Sequence, residues 1–319
     1  MIHLEGVYLL LGAVLAGIAV LGAGDRSNPR RFAAAAFWGL LATSFLAGSR
    51  LTDLANGILV LAMVAIAGFG GLGRGRPQTT SPAERAQSAA VHGDRLFLPA
   101  LVIPAVTLLG SLALKSVTIG GQPLIEPKQA TLVCLGLGAV AAVALAGALL
   151  RPPPLAPLQE GRRLLDQIGW AAVLPQMLAA LGAVFALAGV GHAVSSLIGH
   201  LIPLDNRLAV ICAYTLGMAA FTMIMGNAFA AFPVMTAGIG LPLIVHRFGG
   251  DPAIMSAIGM LSGFCGTLMT PMAANFNIVP AALLELPDRY AVIKAQIPTA
   301  LILLALNTAL MALLVFRSR

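Results

Sequence analysis

Apolar residues run along this chain in long continuous stretches rather than in alternation. Five stretches come first, at about residues 6–24, 32–48, 54–73, 96–114 and 130–150. Each is close to the roughly 20 residues an α-helix needs to cross a bilayer. Backbone groups in lipid must be paired internally, so membrane spans are helices or barrel strands. Continuous runs, in place of ten-residue alternating ones, exclude a barrel. The second half shows spans near 165–190, 207–225, 253–270 and 295–316, now interrupted by polar and helix-breaking residues. The pattern predicts an all-α, polytopic transmembrane helix bundle of about 9–11 helices, with broken or re-entrant helices in the C-terminal half. Nine spans result if 227–245 and 271–286 are re-entrant hairpins, and eleven if both cross; the His246–Arg247 pair that follows favours the re-entrant form.

Polar punctuation divides the chain. The segment RPPPLAPLQEGRR, 151–163, reads as a stiff, extended, cytoplasmic linker because its prolines disfavour a helix. It separates an N-terminal set of helices, 1–150, from a C-terminal half, 164–319. The hydrophilic stretch 74–95 reads as a mobile connection, and Phe37–Trp38 as a marker of the membrane interface.

Composition agrees. Of 319 residues, 59% are hydrophobic and 10% charged, against about a quarter charged in soluble domains. Mean hydropathy is +0.93. The net charge of +7 is confined to particular loops. Arg26, Arg30, Arg31, Arg74, Arg76, Arg85, Arg95, Arg151, Arg162 and Arg163 fall in odd-numbered connections, against Arg50, Lys115 and Lys128 in even ones. Ten against three is a positive-inside bias. It predicts a multi-pass protein of the inner membrane with its N-terminus periplasmic and its Arg317/Arg319 tail cytoplasmic. No basic stretch is interleaved with aromatics, which excludes nucleic acid as a partner. The first apolar run lacks a basic leader and a small-residue cleavage site, so it reads as a retained helix.

The chemistry sits in two polar interruptions. One reads TMIMGNAFAAFP, Thr222 to Pro233; the other TLMTPMAANFNIVP, Thr267 to Pro280. Each runs from a threonine through small residues and an asparagine to a phenylalanine and a proline, a weak repeat. Non-helical backbone at membrane depth persists only where protein buries it or a wet cavity adjoins it. Half-helices that meet there aim backbone N–H groups at one point, the arrangement transporters use for anions and coupling ions. Asn227, Asn275 and Asn277 would supply amide donors, Thr222, Thr267 and Thr270 hydroxyls, and freed carbonyls would hold a sodium ion. Packing against neighbouring helices is the competing role for each residue. Asp166, near Arg163, reads as an interfacial cap or a proton carrier. Asp205 and Arg207 read as a helix start or an outer gate, Asn307 as an interhelical bond, and Gly259–Gly263 as a close helix contact.

Other constellations are incomplete. His192 and His200 lack a carboxylate at ligand spacing, and Cys134, Cys212 and Cys265 are far apart, so no metal site is expected. There is no P-loop and no HExxH. Gly22–Asp25 has the GxGD form of membrane aspartyl proteases, but no Tyr-Asp partner motif accompanies it. No enzyme is expected, and no cofactor beyond a coupling ion, proton or sodium.

The start LEGVYLLLGAVLAGIAV…DRSNPRRFAAAAFWGLL, the LPQMLAALGAVF helix, and GNAFAAFPVMTAGIGLPLI with GFCGTLMTPMAANFNIVPAALLEL together resemble the bacterial membrane family catalogued as domain of unknown function 979. The resemblance covers essentially the whole chain. It implies one component of a two-part permease for 5-oxoproline or a similar small carboxylate, working with a shorter companion membrane protein. More distantly, the broken segments are similar to those of the ion-transporter superfamily of dicarboxylate and arsenite carriers. Two other classes stay open: a non-transporting structural subunit of such a permease, and an integral membrane enzyme.

Overall fold

A computed structural model describes residues 3–77, 79–114, 117–119, 122–201, 205–284 and 286–317. Lys115, Arg319 and the side chains of Pro175, His192 and His200 fall outside the described set. The chain forms two compact units, Met1–Asp166 and Gln167–Arg319. Among the described residues, seven helices are long and apolar enough to cross a membrane, and three shorter apolar ones accompany them. The protein is an all-α, multi-pass membrane protein.

The first unit contains α1 (Leu4–Gly24), α2 (Arg31–Ala47), α3 (Asp53–Gly70), α4 (Pro82–His92), α5 (Phe97–Ala113), α6 (Ala130–Leu150) and most of α7 (Ala156–Ile168). A two-residue antiparallel pair, β1 (Thr118–Ile119) with β2 (Gln122–Pro123), lies between α5 and α6. Small residues set the helix contacts, since helices in lipid associate through close packing rather than a hydrophobic drive. Gly12 of α1 lies against Leu46 and the Ala42 carbonyl of α2, and Gly138 of α6 against the Ile103 backbone of α5. Phe37 and Trp38 are 1% and 2% exposed, packed edge to face at 5.0 Å, so they belong to the interior and not to an interface.

Two connections carry more structure than the hydrophilic pattern predicts. The 74–95 stretch contains α4, opened by a capping box in which the Ser81 and Glu84 side chains each receive the other residue's backbone N–H, with Pro82 in the first turn. The linker is non-helical only as far as Leu155, and its last two residues form a turn closed by the Ala156 N–H to the Pro153 carbonyl. From Ala156 it is the helix α7, because Pro157 stands in the first turn where a missing N–H is harmless.

The second unit opens with a short 3₁₀ turn, Gly169–Val173, entered through Gly169 at φ +59°. It continues through α8 (Leu174–Leu187), α9 (Val190–Leu201), α10 (Arg207–Met225), α11 (Ala228–Met235), a π-helical continuation (Thr236–Arg247), α12 (Pro252–Leu268), α13 (Ala274–Leu283) and α14 (Ala291–Leu314). The single span expected at 165–190 is thus a turn and a fourteen-residue helix. With α9 it runs parallel to α11 and the π segment: Gly182 lies against Ala230, and Gly191 against Val234 and Gly238. Asn206 and Asp251 cap α10 and α12, each accepting two backbone N–H bonds.

Four element ends meet at one end of this unit. Arg247 pairs with Asp205, the Arg207 guanidinium lies over the rings of Phe248 and Phe316 at 5.8 and 5.0 Å, and Asp251 N–H donates to the Val315 carbonyl at 2.8 Å. Residues 205–207 therefore share an end with the tail, so an outer position for them and a cytoplasmic tail do not go together. The re-entrant reading of 227–245 also fails. Residues 228–247 form one continuous limb, antiparallel to α10: Pro233 stands within α11 and Pro242 within the wider π winding, and neither makes a turn. At 271–286 the helix α13, ten residues long, follows α12 through a break.

Candidate functional site

The breaks that end α10 and α12 touch. Gly226 ends α10 in the left-handed region, φ +74°, and a Cβ there would meet the Met272 carbonyl, so glycine is needed for both conformation and space. Thr270 donates its hydroxyl to the Met223 carbonyl at 2.8 Å and accepts the Met272 N–H at 3.2 Å. Leu268 and Met269 pack on the cluster of Ala219, Cys265, Ala300 and Leu304. At about 1.5 Å per residue, Ala300 lies roughly 13 Å from the start of α14 and roughly 21 Å from its end. The end of α12 therefore packs on a cluster that includes the interior of α14.

Helices α10 and α12 approach through Gly259, Gly263 and Gly266, which face Tyr214, Met218 and the Ala219 carbonyl. The Gly259–Gly263 pair is a packing motif here. Asn307 of α14 reaches Cys265 of α12, Nδ2 to Sγ 3.6 Å, the interhelical bond its position predicts.

The six polar residues of the two interruptions do different work. Asn227 caps α11, its Oδ1 accepting the Phe229 N–H at 2.8 Å. Thr267 returns its hydroxyl to the Phe264 carbonyl of its own helix at 2.7 Å. Asn277 is fully buried, and its amide donates to the Thr267 and Thr270 carbonyls at 2.8 and 2.7 Å, closing the C-terminal end of α12. The expectation that Asn277 offers amide donors to an anion is therefore corrected, because both donors are spent. What remains is acceptor capacity. Asn277 Oδ1, Asn275 Oδ1 and Thr222 Oγ1 are buried without a partner. The repeat predicts equal roles for Thr222 and Thr267, yet only Thr267 finds a carbonyl.

Asp205 and Arg207 stand apart from this junction, and Asp166 belongs to the other unit. Asp205 and Arg207 begin α10, at the opposite end from Gly226. Asp166 belongs to a buried charge cluster in the first unit. Arg162, 3% exposed, pairs with Asp25 and stands 3.8 Å from Asp166. Burial pushes Asp166 up, although the Arg162 charge and a hydrogen bond from the Gly75 backbone oppose it. Burial also works against Asp25, but hydrogen bonds from Ser27 and Arg162 outweigh it and hold the carboxyl at about 2. Asp25 and Asp166 do meet, around a guanidinium that keeps Asp25 ionised. This is a structural lock, unlike an acid–base pair of carboxylates sharing a proton. Arg162, four residues before Asp166, is the partner that proximity to Arg163 did not single out; the helical i, i+4 spacing was the available signal. Among the described residues no group of three or more His, Cys, Asp or Glu could hold a metal ion.

No curated protein and no solved structure matches this chain. One family does, over residues 5–316, nearly the full length. The chain belongs to the family described as Protein of unknown function (DUF979).

Proposed function

We propose that this protein is the permease subunit of an inner-membrane secondary transporter for a small organic anion, working by alternating access. One observation carries the reading: two helix breaks between apolar helices are tied together, beside buried oxygens that have no partner. Unpaired polar groups in a membrane interior are expensive and tend to mark substrate or ion paths. The first turns of α11 and α13 supply N–H groups and positive dipole ends for a carboxylate, and the unpaired oxygens suit a cation carried with it. The resemblance noted above makes 5-oxoproline the first substrate to test and a shorter membrane protein the companion.

The arginine bias would set the loops 25–31, 71–95 and 151–166 in the cytoplasm and the N-terminus in the periplasm. In the second unit Gly169–Val173 packs on α13, towards the start of α14, whereas Phe316 lies at the other end. A cytoplasmic start for that unit then carries the tail to the periplasm, and we give up the cytoplasmic tail that its arginines suggest.

A second reading also has an observation behind it. Asn227 and Asn277 spend their hydrogen bonds on helix ends, which is what a non-transporting structural subunit requires. Uptake of labelled 5-oxoproline into proteoliposomes, with and without the companion and under imposed proton or sodium gradients, separates the two. Gradient-driven uptake that falls at least tenfold in Asn275→Ala supports transport. Uptake that is unchanged in Asn275→Ala and Thr222→Val supports the structural subunit.

A further inference from the structure

At the junction of α10, α12 and α13 two amide oxygens and one hydroxyl oxygen are left without a partner. The hydroxyls of Thr267 and Thr270 and both amide hydrogens of Asn277 are given to carbonyls. Thr222 Oγ1, Asn277 Oδ1 and Asn275 Oδ1 receive nothing, and Thr222 and Asn277 are both 0% exposed. Buried polar atoms are almost always paired, so each exception needs a reason.

The two fully buried oxygens border the same stretch of α12. Thr222 reaches it from α10: a Cβ on Gly263 would lie 3.3 Å from its Oγ1. Asn277 reaches it from α13, fixed by its two bonds to Thr267 and Thr270. Asn275 sits in the same first turn of α13. Helices α10 and α12 end near these oxygens while α11 and α13 begin near them, so the helix dipoles oppose one another and the side chains set the preference. An amide oxygen only accepts, so the partner that fits Asn277 Oδ1 and Asn275 Oδ1 is a donor or a cation. Neutral oxygen ligands select hard cations over metals that favour nitrogen or sulfur. With no carboxylate in the set, a divalent charge would stay uncompensated in a low-dielectric site.

We propose that this junction binds a monovalent alkali cation, sodium foremost, through Thr222 Oγ1, Asn277 Oδ1 and Asn275 Oδ1. Its use as a coupling ion rests on the transporter reading above; its binding does not. Thr222 has no structural bond to lose, so Thr222→Val removes a ligand without removing a contact.

Thermal unfolding of the purified full-length protein in detergent tests this, in sodium, potassium, lithium or choline chloride at equal ionic strength. The expected result is a saturable rise in Tm with sodium, on the order of 5 °C over choline. Thr222→Val should unfold with wild-type Tm in choline and show no sodium response, whereas Thr222→Ser should retain it. Equal Tm values in all four salts, or an unchanged sodium response in Thr222→Val, would overturn the proposal. A sodium response without any uptake leaves the cation site standing and removes the transporter reading. Proton-driven uptake with no cation effect on Tm does the reverse.

Discussion

Arg162 holds Asp25 with one guanidinium nitrogen and stands by Asp166 with another, and it is the only one of the three that answers both charges. Gly75 covers the pair, because a Cβ there would meet both Asp25 and Arg162. Removing one partner of a buried ion pair leaves the rest uncompensated, at about 3–5 kcal/mol. Arg162→Met should destabilise the first unit by that amount in denaturation or thermal-shift measurements. Asp25→Asn should cost less, since Asp166 then keeps the arginine to itself. A loss below about 1 kcal/mol in Arg162→Met, the level of an exposed pair, would mean that the cluster contributes nothing of note.

The two carboxylates should respond to acid in opposite senses. Asp25 is held at about 2, below its unfolded value of roughly 3.9. Its contribution is therefore present above about pH 4 and lost as the pH falls towards 2. Asp166 is raised, so its contribution is full below the unfolded value and is lost as the pH rises through the folded one. Asp166→Asn should be neutral or stabilising at pH 7 and should flatten the fall in stability above pH 4. Tm measured across pH for wild type, Asp25→Asn and Asp166→Asn gives the signs directly.

Glycine substitutions separate contact from composition. A Cβ at Gly266 meets the Ala219 backbone carbonyl, whereas Gly39 and Gly57 have nothing within 4 Å. Gly266→Ala should part α10 from α12 and lower stability by about 1–3 kcal/mol. Gly39→Ala and Gly57→Ala should be neutral or slightly stabilising. Thermal unfolding in one detergent ranks the three, and equal values would show that α10 and α12 are not in close contact.

Labelling can test the ends of the second unit. With native cysteines replaced, His246→Cys and Arg317→Cys should react with an impermeant maleimide from one side of the membrane, and Trp170→Cys from the other. Labelling of His246→Cys and Arg317→Cys from opposite sides would contradict the meeting of Arg207, Phe248 and Phe316.

Much of this architecture was legible because apolar length is a strong signal. Runs such as 6–24, 130–150 and 207–225 became α1, α6 and α10 within two residues at each end. Local polar signals are weaker, because the same residues serve helix starts and loops. Ser81, Pro82 and Glu84 form a helix start, yet polarity made that stretch look like a loop. The prolines at 152–154 disfavour a helix only locally, and α7 begins two residues after them. At the junction, the sequence showed that Asn277 is polar and buried but not which half of its amide would be free. That depends on where the carbonyls of Thr267 and Thr270 point, which is settled only by the end of α12.

The bond from Thr270 to the Met223 carbonyl, with Gly226 seated on Met272, makes the two breaks mechanically a single joint. Neither can act as a hinge by itself. A tilt of α13 pulls on the tip of the α10–α11 limb, and a displaced tip pushes back on α13. A load applied to either limb is thus shared by four helices, and as long as that bond holds, states in which only one break has moved are excluded.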